Sequence, residues 1–230
     1  MFIGHFAVGL GAKRAAPTVS LGALFLACQL ADVVWPTLVL IGVERVAIDP
    51  GNTAFTPLNF IAYPYSHSLV ALLLWGTLAA GVCLVATRAL RPALVIAVLV
   101  LSHWILDVIT HRPDMPVTIS GATRLGWGLW NSVPATVVVE TAMFVAGLAL
   151  YAGATRARDR IGARAFWGLI AVLAVIDVAN IVGPPPRSAT AVAWSAQLIW
   201  FLVLWAFWVD RHRVARATTR TGGAPATRPL

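Results

Sequence analysis

From Ile61 to Ala86 the chain carries no Asp, Glu, Lys or Arg, and five other stretches come close to that condition. A bilayer core about 30 Å thick takes roughly 20 apolar residues to cross as a helix. Within it every backbone amide must be satisfied inside its own segment, which makes a helix the form such a stretch takes. Residues 18–43, 61–86, 92–110, 130–152, 164–183 and 190–209 reach that length. The expected fold is all-α: a polytopic transmembrane helix bundle of about six spans over residues 1–209, with a basic, disordered cytoplasmic tail over 210–230. With 59% hydrophobic and 11% charged residues, six spans leave little chain for a soluble domain.

Residues 1–12 are apolar but too few to cross, so they are expected to form a short re-entrant helix, turned back at Lys13 to Pro17. No basic residue precedes them and no small-residue cleavage site follows, unlike a removed signal peptide.

The net charge of +8 follows topology and does not gather in one patch. Thirteen Lys and Arg residues, from Lys13 and Arg14 through Arg88, Arg91 and Arg156 to Arg228, fall in alternate connections, against Arg45, Arg112, Arg124 and Arg187 in the others. The positive-inside rule then puts both termini in the cytoplasm and the loops 44–60, 111–129 and 184–189 outside. The partner this implies is the lipid bilayer, with no nucleic acid. Cys28 and Cys83 fall within apolar spans and are assigned no chemistry. Trp127, Trp130, Trp194 and Trp208 near span ends read as an interfacial aromatic belt. Asp49-Pro50-Gly51-Asn52 with Pro57 and Pro64 gives the 44–65 loop strong turn chemistry and the character of a lid.

Against this apolar background stand Asp32, His67, His103, Asp107, Glu140 and Asp177, with His5 in the N-terminal helix. An ionisable side chain in a bilayer costs several kcal/mol, so such residues face the bundle interior and mark a site. At about 1.5 Å of rise per residue, Asp32, Asp107, Glu140 and Asp177 lie at roughly 18 to 22 Å from the cytoplasmic ends of their spans, with His103 one turn lower. His5 sits at about 12 Å and needs a tilt or kink to join them. His103 and Asp107, four apart, share one helical face and can hold one metal ion. Pro36 cannot donate to the carbonyl of Asp32, which frees an acceptor beside that carboxylate. In Tyr65-Ser66-His67-Ser68 the hydroxyls can cap the second span, and Asn131 is the expected N-cap of the fourth.

In order, Gly4-His5, Leu30-Ala31-Asp32 with Pro36, Ser66-His67-Ser68 and Ser102-His103 with Asp107 resemble the YdjM/DUF457 family of bacterial inner-membrane proteins, which carry the label membrane-bound metal-dependent hydrolase. The resemblance covers about the first 115 residues. That family is distantly similar to the zinc-dependent phospholipase C and P1 nuclease superfamily. Carried over, it implies a divalent metal, zinc, held by Asp32, His67, His103 and Asp107, and a second held in part by His5 and Asp107. His111 is a candidate further ligand. Where relatives have an Asp-x-Asp-His run, this chain has Asp32-Val33-Val34-Trp35.

The expected activity is hydrolysis of a phosphodiester or other ester, on a lipid or other phosphoester substrate, in the bacterial inner membrane. Glu140 and His111 are the candidate catalytic proton carriers. The alternative is a transporter or ion-coupled permease built on a midplane His/Asp cluster, and a scaffold with a polar core is the third class. Oligomeric state is not written in the sequence.

Overall fold

Hydrophobicity alone places the long helices, and the breaks between them are what build the site. The computed structural model describes residues 1–216. In chain order these form α1 (Ile3–Ala12), α2 (Leu21–Cys28), α3 (Leu30–Leu40), β1 (Arg45–Ile48), β2 (Leu58–Ala62), α4 (Pro64–His67), α5 (Leu69–Thr87) and α6 (Leu90–Thr110). There follow β3 (Met115–Pro116), β4 (Arg124–Leu125), α7 (Val133–Ala154), β5 (Thr155–Ala157), α8 (Arg160–Val182), α9 (Ala189–Ala196), α10 (Ile199–Arg211) and β6 (Arg213–Ala215). Among the described residues five helical segments are long and apolar enough to cross a membrane, and α2 with α3 makes a sixth if that bent pair counts as one. The protein is thus an all-α membrane bundle. Leu74, Val82, Val85, Leu94, Val98, Val138 and Val175 are exposed around it, the apolar girdle a lipid-facing surface requires.

The strands are three short antiparallel pairs at the two ends. At one end β5 pairs with β6, and Lys13 Nζ donates to Asp210 Oδ1 at 2.8 Å. At the other, β1 pairs with β2 and β3 with β4, and the Phe55 amide donates to the Trp130 carbonyl. The 44–65 loop is therefore a hairpin. The expected tail boundary moves as well: α10 runs to Arg211 and β6 ties residues 213–215 to β5, while 217–230 lie outside the described residues. The Arg213 guanidinium, stacked 4.5 Å over the Phe166 ring and bonded to Thr155 Oγ1, anchors that strand.

Asp159 joins the same end by accepting from the Gly162 amide and from His212 Nδ1, both at 2.8 Å. The His212 bond, then the amide, holds its carboxyl below the usual range. A depressed folded-state pKa adds stability that is present above the ordinary Asp value of about 3.9 and lost as pH falls through the depressed one. The thermal midpoint of the wild type should exceed that of D159N above about pH 5, and the margin should shrink below about 4. A margin that does not change with pH would contradict this.

The N-terminal helix is the central packing element. In α1, Ile3, Gly4, His5, Phe6, Ala7, Gly9 and Leu10 are all buried. Phe6 and Leu10 sit in one core with Phe25, Tyr151, Phe166 and Leu169. Lipid is as apolar as leucine, so close backbone approach, and not water exclusion, holds such helices together. Gly147 provides it: a Cβ there would stand 2.3 Å from the Ala7 carbonyl oxygen.

Two breaks differ from the sequence expectation. The first span bends by 57° at Gln29, seven residues before Pro36, which stays inside α3. The bend puts Asp32 in the first turn of α3, where the positive end of the helix dipole favours a carboxylate. The second span starts at Leu69 because Ser68 is extended and caps it, accepting from the Ala71 amide at 3.1 Å. His67 thus lies on the short α4, outside the span. The fourth span is capped by Ser132 and not by Asn131, which ends a 3-10 turn.

Candidate metal centre

The bend at Gln29 opens the carbonyl of Cys28, and His103 Nδ1 takes it at 2.8 Å. With Nδ1 donating, the lone pair of His103 is on Nε2, 3.2 Å from Asp107 Oδ2 and 3.8 Å from Asp32 Oδ2. His67 reaches the same point from α4, its Nε2 3.4 Å from Asp32 Oδ1 and 3.9 Å from Asp107 Oδ2. His5 arrives on α1: its ring stacks on that of His103 with centroids 3.8 Å apart, and its Nε2 is 3.0 Å from Asp107 Oδ1. The Met1 amino nitrogen lies 2.9 Å from the same oxygen.

Of the six sequence-nominated ligands His5, Asp32, His67, His103 and Asp107 therefore converge, and His111 does not join them. Two groups of three, His5 with His103 and Asp107, and Asp32 with His67 and His103, each hold their ligand atoms within 4.8 Å of one another. His103 has one free nitrogen and can serve only one ion. Asp32 and Asp107 each lie within 3.9 Å of both His67 Nε2 and His103 Nε2, the nearest Asp107 oxygen being Oδ2, whereas His5 meets Asp107 at Oδ1. His5, His67, His103 and Asp107 are buried, whereas the Asp32 side chain keeps 32% of its exposure. That opening is a cavity of about 700 Å³ lined by Asp32, His67, Asp107 and His111, with aromatic surface from Trp35, Phe55, Phe60 and Trp130. The hairpin loop at Pro50 to Leu58 and the turn at Gly183 to Pro186 also line it.

The two candidate proton carriers fare differently. His111 caps the end of α6 with Nδ1 2.9 Å from Asp114 Oδ1, and its ring lies 4.2 Å from that of Trp130. Burial holds the His111 imidazole below its ordinary pKa, outweighing the Asp114 carboxylate that pulls it upward. Tyr63 donates to Asp114 Oδ1 at 3.0 Å, and burial together with that carboxylate raises its phenol well above 10. Among the described residues His111 Nε2 has no hydrogen-bond partner, and the residue lines the cavity. Glu140 instead caps α1: its Oε2 accepts from the amides of Phe2, at 2.8 Å, and Gly4, at 3.2 Å. Truncating a buried charged acceptor strands two amides at about 1–3 kcal/mol each. E140A should therefore lower the thermal midpoint in detergent far more than E140Q, which keeps an acceptor oxygen, and equal losses would remove this role.

Asp177 is buried on α8 with no side-chain hydrogen bond among the described residues. Trp130 does not join the interfacial belt. Gly128, at φ +75°, turns the 3-10 segment inward and buries that indole against His111, while Trp127, Trp194 and Trp208 stay exposed. Sequence reasoning also passed over Glu44, Tyr63 and Asp114. Glu44 and Asp114 sit in loops where acidic residues are ordinary, and only their burial separates them from solvated charge. No protein-family model, curated protein or solved structure matches this chain.

Proposed function

We propose that this protein is a membrane-embedded, metal-dependent hydrolase cleaving a phosphodiester or other ester of an amphiphilic, lipid-linked substrate. The observation that carries the reading is the meeting of His67 and His103 with Asp32 and Asp107, from α4, α6 and α3, each imidazole Nε2 within 3.9 Å of both carboxylates, beside a cavity that Asp32, His67 and Asp107 line. Three ionisable groups within the spans, with a buried fourth beside them, are too costly to keep as packing.

The residues fit a divalent ion of the zinc type. His103 Nε2 is buried without a hydrogen-bond partner while Nδ1 is fixed as a donor, which is how a ligating imidazole is held. Two imidazole nitrogens and two carboxylate oxygens suit zinc. When bound, such an ion brings the pKa of a water toward 7 and polarises a phosphoryl or acyl oxygen.

The chain's own groups do the rest. Asp32 and Asp107 supply the negative charge that makes a cation favourable at this depth. His111, oriented through Nδ1 by Asp114, turns Nε2 to the cavity, where it can take a proton from the attacking water and return it to the leaving oxygen. Trp35, Phe60 and Trp130 give the cavity an apolar wall suited to the hydrocarbon part of a lipid. The resemblance to the YdjM/DUF457 family supports the same chemistry and the bacterial inner membrane. The excess of arginine at the β5–β6 end supports cytoplasmic termini.

Hydrolysis of bis(p-nitrophenyl) phosphate and of lipid phosphodiesters by the detergent-purified protein tests this. Turnover should stop with a chelator and return with zinc. H111A should lose about 100-fold in kcat at unchanged metal content. An H111A variant as fast as wild type removes His111 from the mechanism, and absence of turnover on every ester class removes the hydrolase. The break at Gln29 beside Asp32 is the feature a permease reading draws on. Uptake into proteoliposomes that follows pH, without hydrolysis, would decide for it.

A further inference from the structure

Among the three clustered histidines, His67 is the one whose second nitrogen meets a side chain. His103 Nδ1 is held by a backbone carbonyl, and His5 Nδ1 has no partner among the described residues. His67 Nδ1 lies 2.7 Å from Ser66 Oγ, and Ser66 Oγ lies 2.6 Å from Glu44 Oε2. All three residues are buried, Glu44 to 1% exposure. Glu44 Oε1 is already occupied, accepting the amides of Tyr65 at 2.8 Å and Ser66 at 2.9 Å.

Proton counting fixes the rest. A serine hydroxyl has one hydrogen, and a carboxylate can only accept. The 2.6 Å contact is a short, charge-assisted bond, and the competing Tyr63 carbonyl is 3.5 Å away. Ser66 therefore donates to Glu44, leaving its oxygen to accept from His67. Nδ1 must carry the proton, and the lone pair is on Nε2, the nitrogen that faces Asp32 and Asp107.

We infer that Glu44 is a positioning residue: acting through Ser66, it locks His67 in the Nδ1–H tautomer, makes its Nε2 a stronger donor and so sets the affinity of the cluster for a divalent metal. The metal half of this rests on the reading above, while the tautomer half belongs to the protein without metal. Carboxylate partners beyond the ligands commonly act in this way. Glu44 sits at the turn leading from α3 into β1, its amide bonded to the Leu38 carbonyl. The outer hairpin is thereby tied to a ligand of the centre.

Glu44→Gln makes a sharp test because it keeps size and shape. The two amides demand an oxygen at the Oε1 position, so the new NH₂ falls opposite Ser66 Oγ. It donates to the hydroxyl, the hydroxyl proton turns to His67 Nδ1, and the imidazole changes to the Nε2–H tautomer, with its lone pair turned away from the cluster. Nitrogen-15 NMR of histidine-labelled protein in detergent, before and after zinc titration, reads both effects. The wild type should show His67 as Nδ1–H without metal. E44Q should show Nε2–H and bind zinc about 10- to 100-fold more weakly.

A wild-type His67 protonated on Nε2 overturns the inference, as does an E44Q variant with wild-type tautomer and affinity. Should E44Q fail to fold, S66A removes the acceptor of the Nδ1 proton and should weaken zinc to the same degree; unchanged affinity there is equally fatal. A wild-type protein that shows Nδ1–H yet binds no zinc would sink the metal-centre reading and leave the tautomer lock supported.

Discussion

Changing His103 and Asp107 to alanine together is expected to take the detergent-purified protein from bound zinc to none detectable, and turnover with it. His103 Nε2 and Asp107 Oδ2 are 3.2 Å apart on one face of α6. No other described residue offers the cluster a replacement donor from that helix at that depth. Removing both leaves His67 with Asp32, a carboxylate a third exposed, and His5, whose contacts in the cluster are with the two deleted residues, so that only two donors stay paired, short of the three or four ligands a zinc site requires. H5A, by contrast, should keep one ion, because His5 approaches Oδ1 of Asp107, whereas His67 and His103 lie nearest Oδ2. Elemental analysis of the three proteins checks this. Equal metal content in wild type and double variant would show that any bound ion sits elsewhere.

Placing a methyl group on Gly147 is expected to cause the largest loss of stability of any single small change in α7. The new Cβ would meet the backbone of Ala7 at 2.3 to 2.8 Å, and a backbone cannot turn aside as a side chain can. α1 has to move, at a cost of about 1–3 kcal/mol for overpacking. Gly153, in the same helix, has nothing within 4 Å of its Cβ position and serves as the control. G147A should melt well below wild type in detergent, and G153A should match it. Identical melting of the two variants would mean that α1 is not wedged against α7.

How much of this could be read in the sequence divides along a physical line. The cost of an open backbone or a bare charge in hydrocarbon is large and acts residue by residue, so it leaves a mark on a single chain. The spans from α5 to α10 were legible for that reason, and so were Asp32, His103 and Asp107. His67 and His5 were less so. One sits just outside a span and the other on a helix too short to cross, so the cost of burial marks them less sharply, and the resemblance added to that mark.

What stayed hidden depends on tertiary contact. The bend at Gln29 has no breaker residue; its freed carbonyl is satisfied by His103, 75 positions away, while the visible breaker, Pro36, leaves its helix intact. The β5–β6 pair joins arginine-rich segments whose charge pattern resembles a solvated tail. Glu44 and the Tyr63–Asp114–His111 group acquire meaning only once the outer hairpins fold over the cluster.

The measurement nearest the central claim is X-ray absorption at the zinc edge on the wild-type protein, loaded with one equivalent and dialysed. Two imidazole nitrogens at about 2.0–2.1 Å with carboxylate oxygens at about 2.0–2.2 Å are predicted. Loss of the metal on dialysis, or a shell containing sulfur at about 2.3 Å, would contradict a centre built from His67, His103, Asp32 and Asp107.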